Sequence, residues 1–127
     1  MTTSIAWFAA LYAAFALKQF LADFVLQLTW MAAGKEQTRG WAVPLAAHAG
    51  CHAALTLLLM LLIAPGLWWL GPADFLIHGG IDRAKSLASR RLNLKQNSAA
   101  WWWLFGADQL LHHLTHLAFI VLIAELQ

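Results

Sequence analysis

Six histidines and three of the four aspartates interrupt otherwise apolar segments at spacings that could build a site. His48 and His52 are four apart, as are His78 and Asp82, and Asp108 and His112; Gln19, Asp23 and Gln27 form a matching series. Residues at i and i+4 share one helix face, so each run would present a polar stripe to its neighbours. Imidazoles and carboxylates projecting from facing helices are how helix bundles hold mono- and dinuclear metal centres. The nitrogen and oxygen donors suit a divalent Zn, Fe or Mn ion, and Cys51 lies off the His48/His52 face. The expected ligands are His48, His52, Asp82, Asp108 and His112. Asp23 is expected as ligand or catalytic general base, and His78 as a catalytic residue that orients groups or shuttles protons. The candidates exceed the three or four ligands of one zinc site, so either two ions bind or some residues orient the ligands. The competing reading is a metal-free network of hydrogen-bonded His–Asp pairs.

The elements that must position these groups follow from composition. Of 127 residues, 61% are hydrophobic and 11% charged, where a soluble domain is about a quarter charged. That balance excludes disorder, a basic nucleic-acid module and most soluble folds, so no nucleic-acid partner is expected. A membrane-spanning helix takes about 20 apolar residues. The chain therefore reads as one all-α domain, 1–127, an integral membrane four-helix bundle with helices near 5–30, 43–63, 73–89 and 99–126. The third is the weakest span, because it holds His78, Gly79, Gly80 and Asp82 and ends in basic residues; a re-entrant or interfacial helix is the alternative. A single cysteine excludes an intrachain disulfide. Met1 to Ser4 carry no Lys or Arg and the apolar stretch runs long, so no cleavable signal is expected.

Lys and Arg set the topology. Lys35 and Arg39 lie between spans one and two, and Arg83, Lys85, Arg90, Arg91 and Lys95 at or beyond the end of span three. The segment Pro65 to Pro72 has none. By the positive-inside rule both termini face outward, to the periplasm, and the basic loops face the cytoplasm of a bacterial inner membrane. The eight tryptophans agree: Trp7, Trp68 and Trp69 fall at outer ends, and Trp30, Trp41 and Trp101 to Trp103 at inner ends. With that topology, and about 1.5 Å of rise per residue, most of the polar stripes fall roughly 8–20 Å from the inner surface. They share one layer. An ionisable side chain in such a span costs about 2.5–3.5 kcal/mol, so these groups are expected to have partners.

The remaining polar residues are less specific. Gln19, Gln27, Lys85, Gln109 and His116 are expected around the ligands or substrate, with His116 lining an access path. His113 and Gln109 point to another face and bond a neighbouring helix. Thr56 bonds backbone, Asp74 caps a helix N-terminus, and Gly79-Gly80 allow close helix packing. Lys18 snorkels, pairs with an aspartate, or carries charge at the site. The basic run from Arg83 to Lys95 would attract anionic lipid headgroups.

Several of these motifs occur together elsewhere. The run K-Q-F-L-A-D-F-V-L-Q (Lys18 to Gln27), then Trp30-Met31-Ala32 and Lys35, resembles the opening of a family of small bacterial inner-membrane proteins, domain of unknown function 3307. His48 and His52, H-x-x-I-D-x-x-K from His78 to Lys85, and D-Q-x-x-H from Asp108 to His112 extend the likeness over nearly the whole chain. The resemblance implies four spans and a grouping of these polar residues, and no activity. One departure is Gln19, where the family often has histidine; the site is then weaker here, or the position only supports the ligands.

Three functions compete. The first is an intramembrane metal-dependent hydrolase acting on a lipid-like or membrane-embedded substrate, using one or two ions. The absence of H-E-x-x-H argues against a peptide-cleaving zinc enzyme. The second is proton, ion or metal transport, for which four short helices would need to form a homo-oligomer. The third is a b-type haem or quinone electron carrier with histidine ligands.

Overall fold

The computed structural model describes residues 4–127. Its first helix, α1 (Ile5–Phe20), is started by Ser4, whose Oγ accepts the Trp7 N–H at 3.2 Å. It runs into a π-helical turn over Leu21–Val25, closed by Leu26 N–H to Leu21 C=O at 2.8 Å. The chain then straightens at Leu28 (φ −74°, ψ 158°) and forms a six-residue helix, α2 (Thr29–Gly34). The single helix expected to Trp30 is thus broken. The local cause is visible at Asp23, whose backbone C=O accepts the Gln27 side-chain amide at 3.2 Å. A π turn of this kind commonly marks a functional position, and Asp23 lies within it.

The next helix, α3 (Ala42–Ile63), tolerates Pro44 because the first-turn N–H has no intrahelical partner. It stops before Pro65, and a 3₁₀ turn at Pro65–Leu67 leads to α4 (Leu70–Arg91). Pro72 sits in the first turn of α4. Asp74 therefore lies inside the helix and does not cap it, contrary to the expectation from sequence. The last helix, α5 (Ala99–Leu126), begins at Ser98, whose Oγ accepts the Trp101 N–H at 3.3 Å. The described residues contain helices and no strands.

Among the described residues three helical segments are long and apolar enough to cross a membrane: Ile5–Val25, Ala42–Ile63 and Ala99–Leu126. At 22 residues α4 has the length but carries too many polar groups. Its Asp74, His78, Asp82 and Ser86 are all buried, and it packs on both α3 and α5. The other long helices supply the partners its sequence lacks.

Contacts between polar side chains show how the helices run. Lys18, Thr56, Asp74 and His116 meet at one level. Asp23, His48, His52, Asp82 and His112 meet at another. Moving from the first level to the second, the residue number rises in α1 and α4 and falls in α3 and α5, so the long helices alternate in direction. Beyond the first level lies an apolar core of Leu11, Phe15, Met60, Leu70, Phe119, Ile120 and Ile123, with Ala64 and Leu67. One half of the interior is apolar and the other half polar.

Of the three glycines of α4 that could face α3, Gly71 is the tightest. A Cβ there would stand 2.9 Å from Leu57 Cβ and 3.3 Å from Ala53 C=O. At Gly79 the nearest atom would be Ala49 Cβ at 3.6 Å, an ordinary contact, and Gly80 faces open space. The glycine that permits close packing is thus Gly71, and not the Gly79-Gly80 pair expected from sequence. Gly71→Val should destabilise the detergent-solubilised protein by about 1–3 kcal/mol through overpacking. Gly80→Ala should leave the thermal unfolding midpoint unchanged or raise it slightly; equal losses would contradict this packing.

Candidate metal centre

Asp82 is the hub of the polar half. Its Oδ1 lies 3.1 Å from His112 Nε2 and 3.9 Å from His78 Nε2. Its Oδ2 accepts from Lys35 Nζ at 2.7 Å and stands 3.4 Å from His48 Nε2. Four helical elements thus reach one carboxylate. Lys35 gets there because the break after the π turn folds α2 back, leaving this lysine at its C-terminal end and only 8% exposed.

Asp23 repeats the pattern. Its Oδ2 accepts from Gln19 Nε2 at 2.6 Å, one helical turn away. That leaves Oδ1 to face His52 Nε2 at 2.8 Å and His48 Nε2 at 3.4 Å. In each aspartate one oxygen accepts from a non-imidazole donor and the other faces imidazole nitrogens, and in Asp82 the held oxygen also lies near His48. Outer hydrogen bonds of this kind are what orient carboxylate ligands toward a metal.

The imidazoles crowd together. His78 stacks on His52 with centroids 3.5 Å apart and on His112 at 3.9 Å; His48 is edge-on to His52 at 4.9 Å. His78 is 2% exposed, and neither of its ring nitrogens has a hydrogen-bond partner among the described residues. Nδ1 of His48 and of His52 is likewise enclosed without one. A neutral imidazole in a hydrogen-bonded network needs both a donor and an acceptor site answered, and buried polar groups left unanswered are rare. The crowding is therefore poorly explained by hydrogen bonding alone.

Among the described residues two sets could ligate an ion, with donor atoms within 4.8 Å of one another: Asp23, His48, His52 and His78, and, sharing the last of these, His78, Asp82 and His112. The geometry thus brings Asp23, expected as ligand or base, and His78, expected to orient groups or shuttle protons, in among possible ligands. Asp108, expected as a ligand, falls outside both sets. Its Oδ1 is 3.4 Å from His112 Nε2 and its Oδ2 is 3.7 Å from Lys85 Nζ. Gln109 donates to the same Oδ2 at 3.1 Å and lines the site, not another face. His113 is exposed on α5, and no bond to a neighbouring helix appears among the described residues.

A cavity of about 160 Å³ opens over this centre. Asp23, His48, Asp82, Asp108 and His112 line it, with Lys35 and Lys85 beside them and Phe24 and Phe105 at its edge. His52 and His78 lie behind.

A second polar cluster sits one level away. Lys18 Nζ donates to Asp74 Oδ2 at 2.6 Å, and Thr56 Oγ1 donates to the same oxygen at 2.6 Å. His116 Nε2 accepts from Lys18 at 3.2 Å, against the ring of Phe15. Lys18 thus takes one of its three expected roles, pairing with an aspartate. Thr56 bonds this carboxylate and not backbone. Sequence reading also missed Lys35 as a site residue, since it lies beyond a helix break where no periodic spacing connects it to Asp82.

A family model described as protein of unknown function (DUF3307) matches residues 11–127. The chain belongs to that family. The match takes in every residue of the DUF3307 site described above, from Lys18 to His116. No curated protein and no solved structure gives a significant match.

The Lys18–Asp74 pair yields a stability test. Both side chains are almost fully enclosed. Removing one member strands the other charge, at a cost of about 3–5 kcal/mol. Lys18→Met should therefore lower the unfolding midpoint far more than the double variant Lys18→Met/Asp74→Leu. Equal losses would show that the pair carries no coupling.

Proposed function

We propose that this chain is an intramembrane metal-dependent hydrolase acting on a lipid-like or membrane-embedded substrate. The observation that carries the reading is His78. It is enclosed, unpartnered at both ring nitrogens, and common to both sets of possible ligands. His78, Asp82 and His112 supply the ligand number of a catalytic zinc site, which keeps a further position for water. Asp82 and His112 face the cavity, so that position would be open to substrate. A divalent ion held there lowers the pKa of its water to about 7. Asp23, held by Gln19 and also facing the cavity, serves as base or as ligand to a second ion through the other set.

The setting we propose is a four-helix bundle in a bacterial inner membrane, with both termini outside. Support comes from the three apolar helices, from the partners that enclose the polar groups of α4, and from the basic residues at one end. Trp41 and Arg83 stack there at 4.0 Å, as expected where rings and guanidinium groups meet headgroups. The ligand layer then opens from the cytoplasmic leaflet.

One observation favours transport as a second reading. Lys18, Asp74 and His116 extend the polar groups beyond the metal layer toward the end that holds the termini, as a relay would require. Haem fits less well, because the histidines stack directly on one another where a macrocycle would have to lie.

Metal content of protein purified in detergent without chelator tests the reading. Stoichiometric Zn, Fe or Mn is expected in the wild type and in His113→Ala. His78→Ala should lose it, and Asp108→Asn should retain it. Absence of metal from the wild type, or equal loss in all variants, would overturn the proposal. Ion or proton flux in proteoliposomes that Asp74→Asn abolishes would favour transport instead.

A further inference from the structure

The site holds more hydrogen-bond donors than its carboxylates use. Lys35 and Lys85 both line the cavity, and an ammonium carries three N–H donors. Lys35 spends one of them on Asp82. Lys85 lies 3.7 Å from Asp108 Oδ2 and 3.8 Å from Glu36 Oε1, outside hydrogen-bond range of either. Its side chain is 20% exposed, and its charge is shared between these two carboxylates without a hydrogen bond to either. The cavity's three carboxylates outnumber its two ammonium groups. Glu36, 3.8 Å from Lys85, adds a fourth carboxylate, so one divalent ion would bring the balance to neutral and two, one in each ligand set, would make it net positive, which calls for an anion.

The walls say what the anion is attached to. Phe24, 76% exposed, and Phe105, 40% exposed, flank the cavity between the π turn and α5. A second cavity of about 280 Å³, lined by Trp101, Leu104 and Phe105 with Glu36 and Ser89 at its polar side, shares Lys85 with the first. At about 160 Å³ the site cavity is smaller than those that hold drug-sized ligands, which start at about 300 Å³. A small headgroup fits there, with an apolar chain beside it.

We infer that Lys35 and Lys85 form an anion-binding site for the phosphate of a lipid phosphomonoester, which reaches the cavity sideways between the π turn and α5. The inference rests on the hydrolase reading for its chemistry. In the reaction the oxygen and one hydrogen of water stay on phosphorus as the P–O bond to the lipid breaks. The other proton passes, by way of Asp23, to the leaving oxygen, so the products are inorganic phosphate and the lipid alcohol. Lys85 holds the phosphate oxygens and Lys35 holds both Asp82 and the phosphate.

Binding of a fluorescent phosphatidic acid to the detergent-solubilised full chain tests this, with metal content measured on the same samples. Phosphatidylcholine and inorganic phosphate serve as competitors. Wild type should bind phosphatidic acid, Lys85→Gln should weaken binding about tenfold, the scale of one charge-assisted contact, and Lys85→Arg should restore it. Metal content should be the same in all three. Unchanged affinity in Lys85→Gln would overturn the inference, as would equal competition by phosphatidylcholine. Inorganic phosphate competing as strongly as the lipid would overturn the lipid assignment. If the wild type lacks metal but binding still depends on Lys85, the hydrolase reading fails and the anion site stands.

Discussion

Asp82 cannot be buried alone. A carboxylate in a low-dielectric interior costs several kcal/mol unless it is paired and hydrogen-bonded, and this one is 2% exposed. Its partners come from four places in the chain: Lys35 after α2, His48 on α3, His78 on its own helix and His112 on α5. To meet that demand α2 must fold back, α4 must lie against both α3 and α5, and the helices must alternate in direction. The same constraint acts at Asp74, where Lys18 and Thr56 answer the charge. The polar half of the interior is thus held by electrostatic pairing, and the other half by the packing of Phe15, Met60, Phe119 and their neighbours.

This division bears on stability and function together. Pairing that fixes Asp82 and Asp23 from behind, through Lys35 and Gln19, also aims their free oxygens at the imidazoles. Helix breaks do comparable work. Because the π turn adds residues to the end of the first span, Asp23 faces α3 while the chain beyond it is released to bring Lys35 inward. A straight helix to Trp30 would carry Lys35 away from α4 and leave Asp82 without its ammonium partner.

Much of this was legible in the sequence, and the rest was not for definable reasons. The i,i+4 spacing of His48/His52, His78/Asp82 and Asp108/His112 follows directly from helical periodicity, and it identified the faces that meet. Helix boundaries near Pro65 and Ser98 carry local signals. Lys35 carried none, since its role depends on a turn in space and not on a repeat along the helix. Asp74 after Pro72 has the pattern of a cap, but α4 starts at Leu70 and converts it to an interior residue. Spacing also could not separate ligands from supports: Asp108 shares a face with His112 yet falls outside both ligand sets, while His78 falls inside both.

We propose that these imidazoles are close because they share an ion. X-ray absorption spectroscopy at the metal edge of the purified protein tests it most directly. The expected result is a first shell dominated by nitrogen at about 2.0–2.1 Å, with outer scattering from two or more imidazoles that falls in His78→Ala. A shell of oxygen alone, or a spectrum unchanged by loss of His78, would contradict the account.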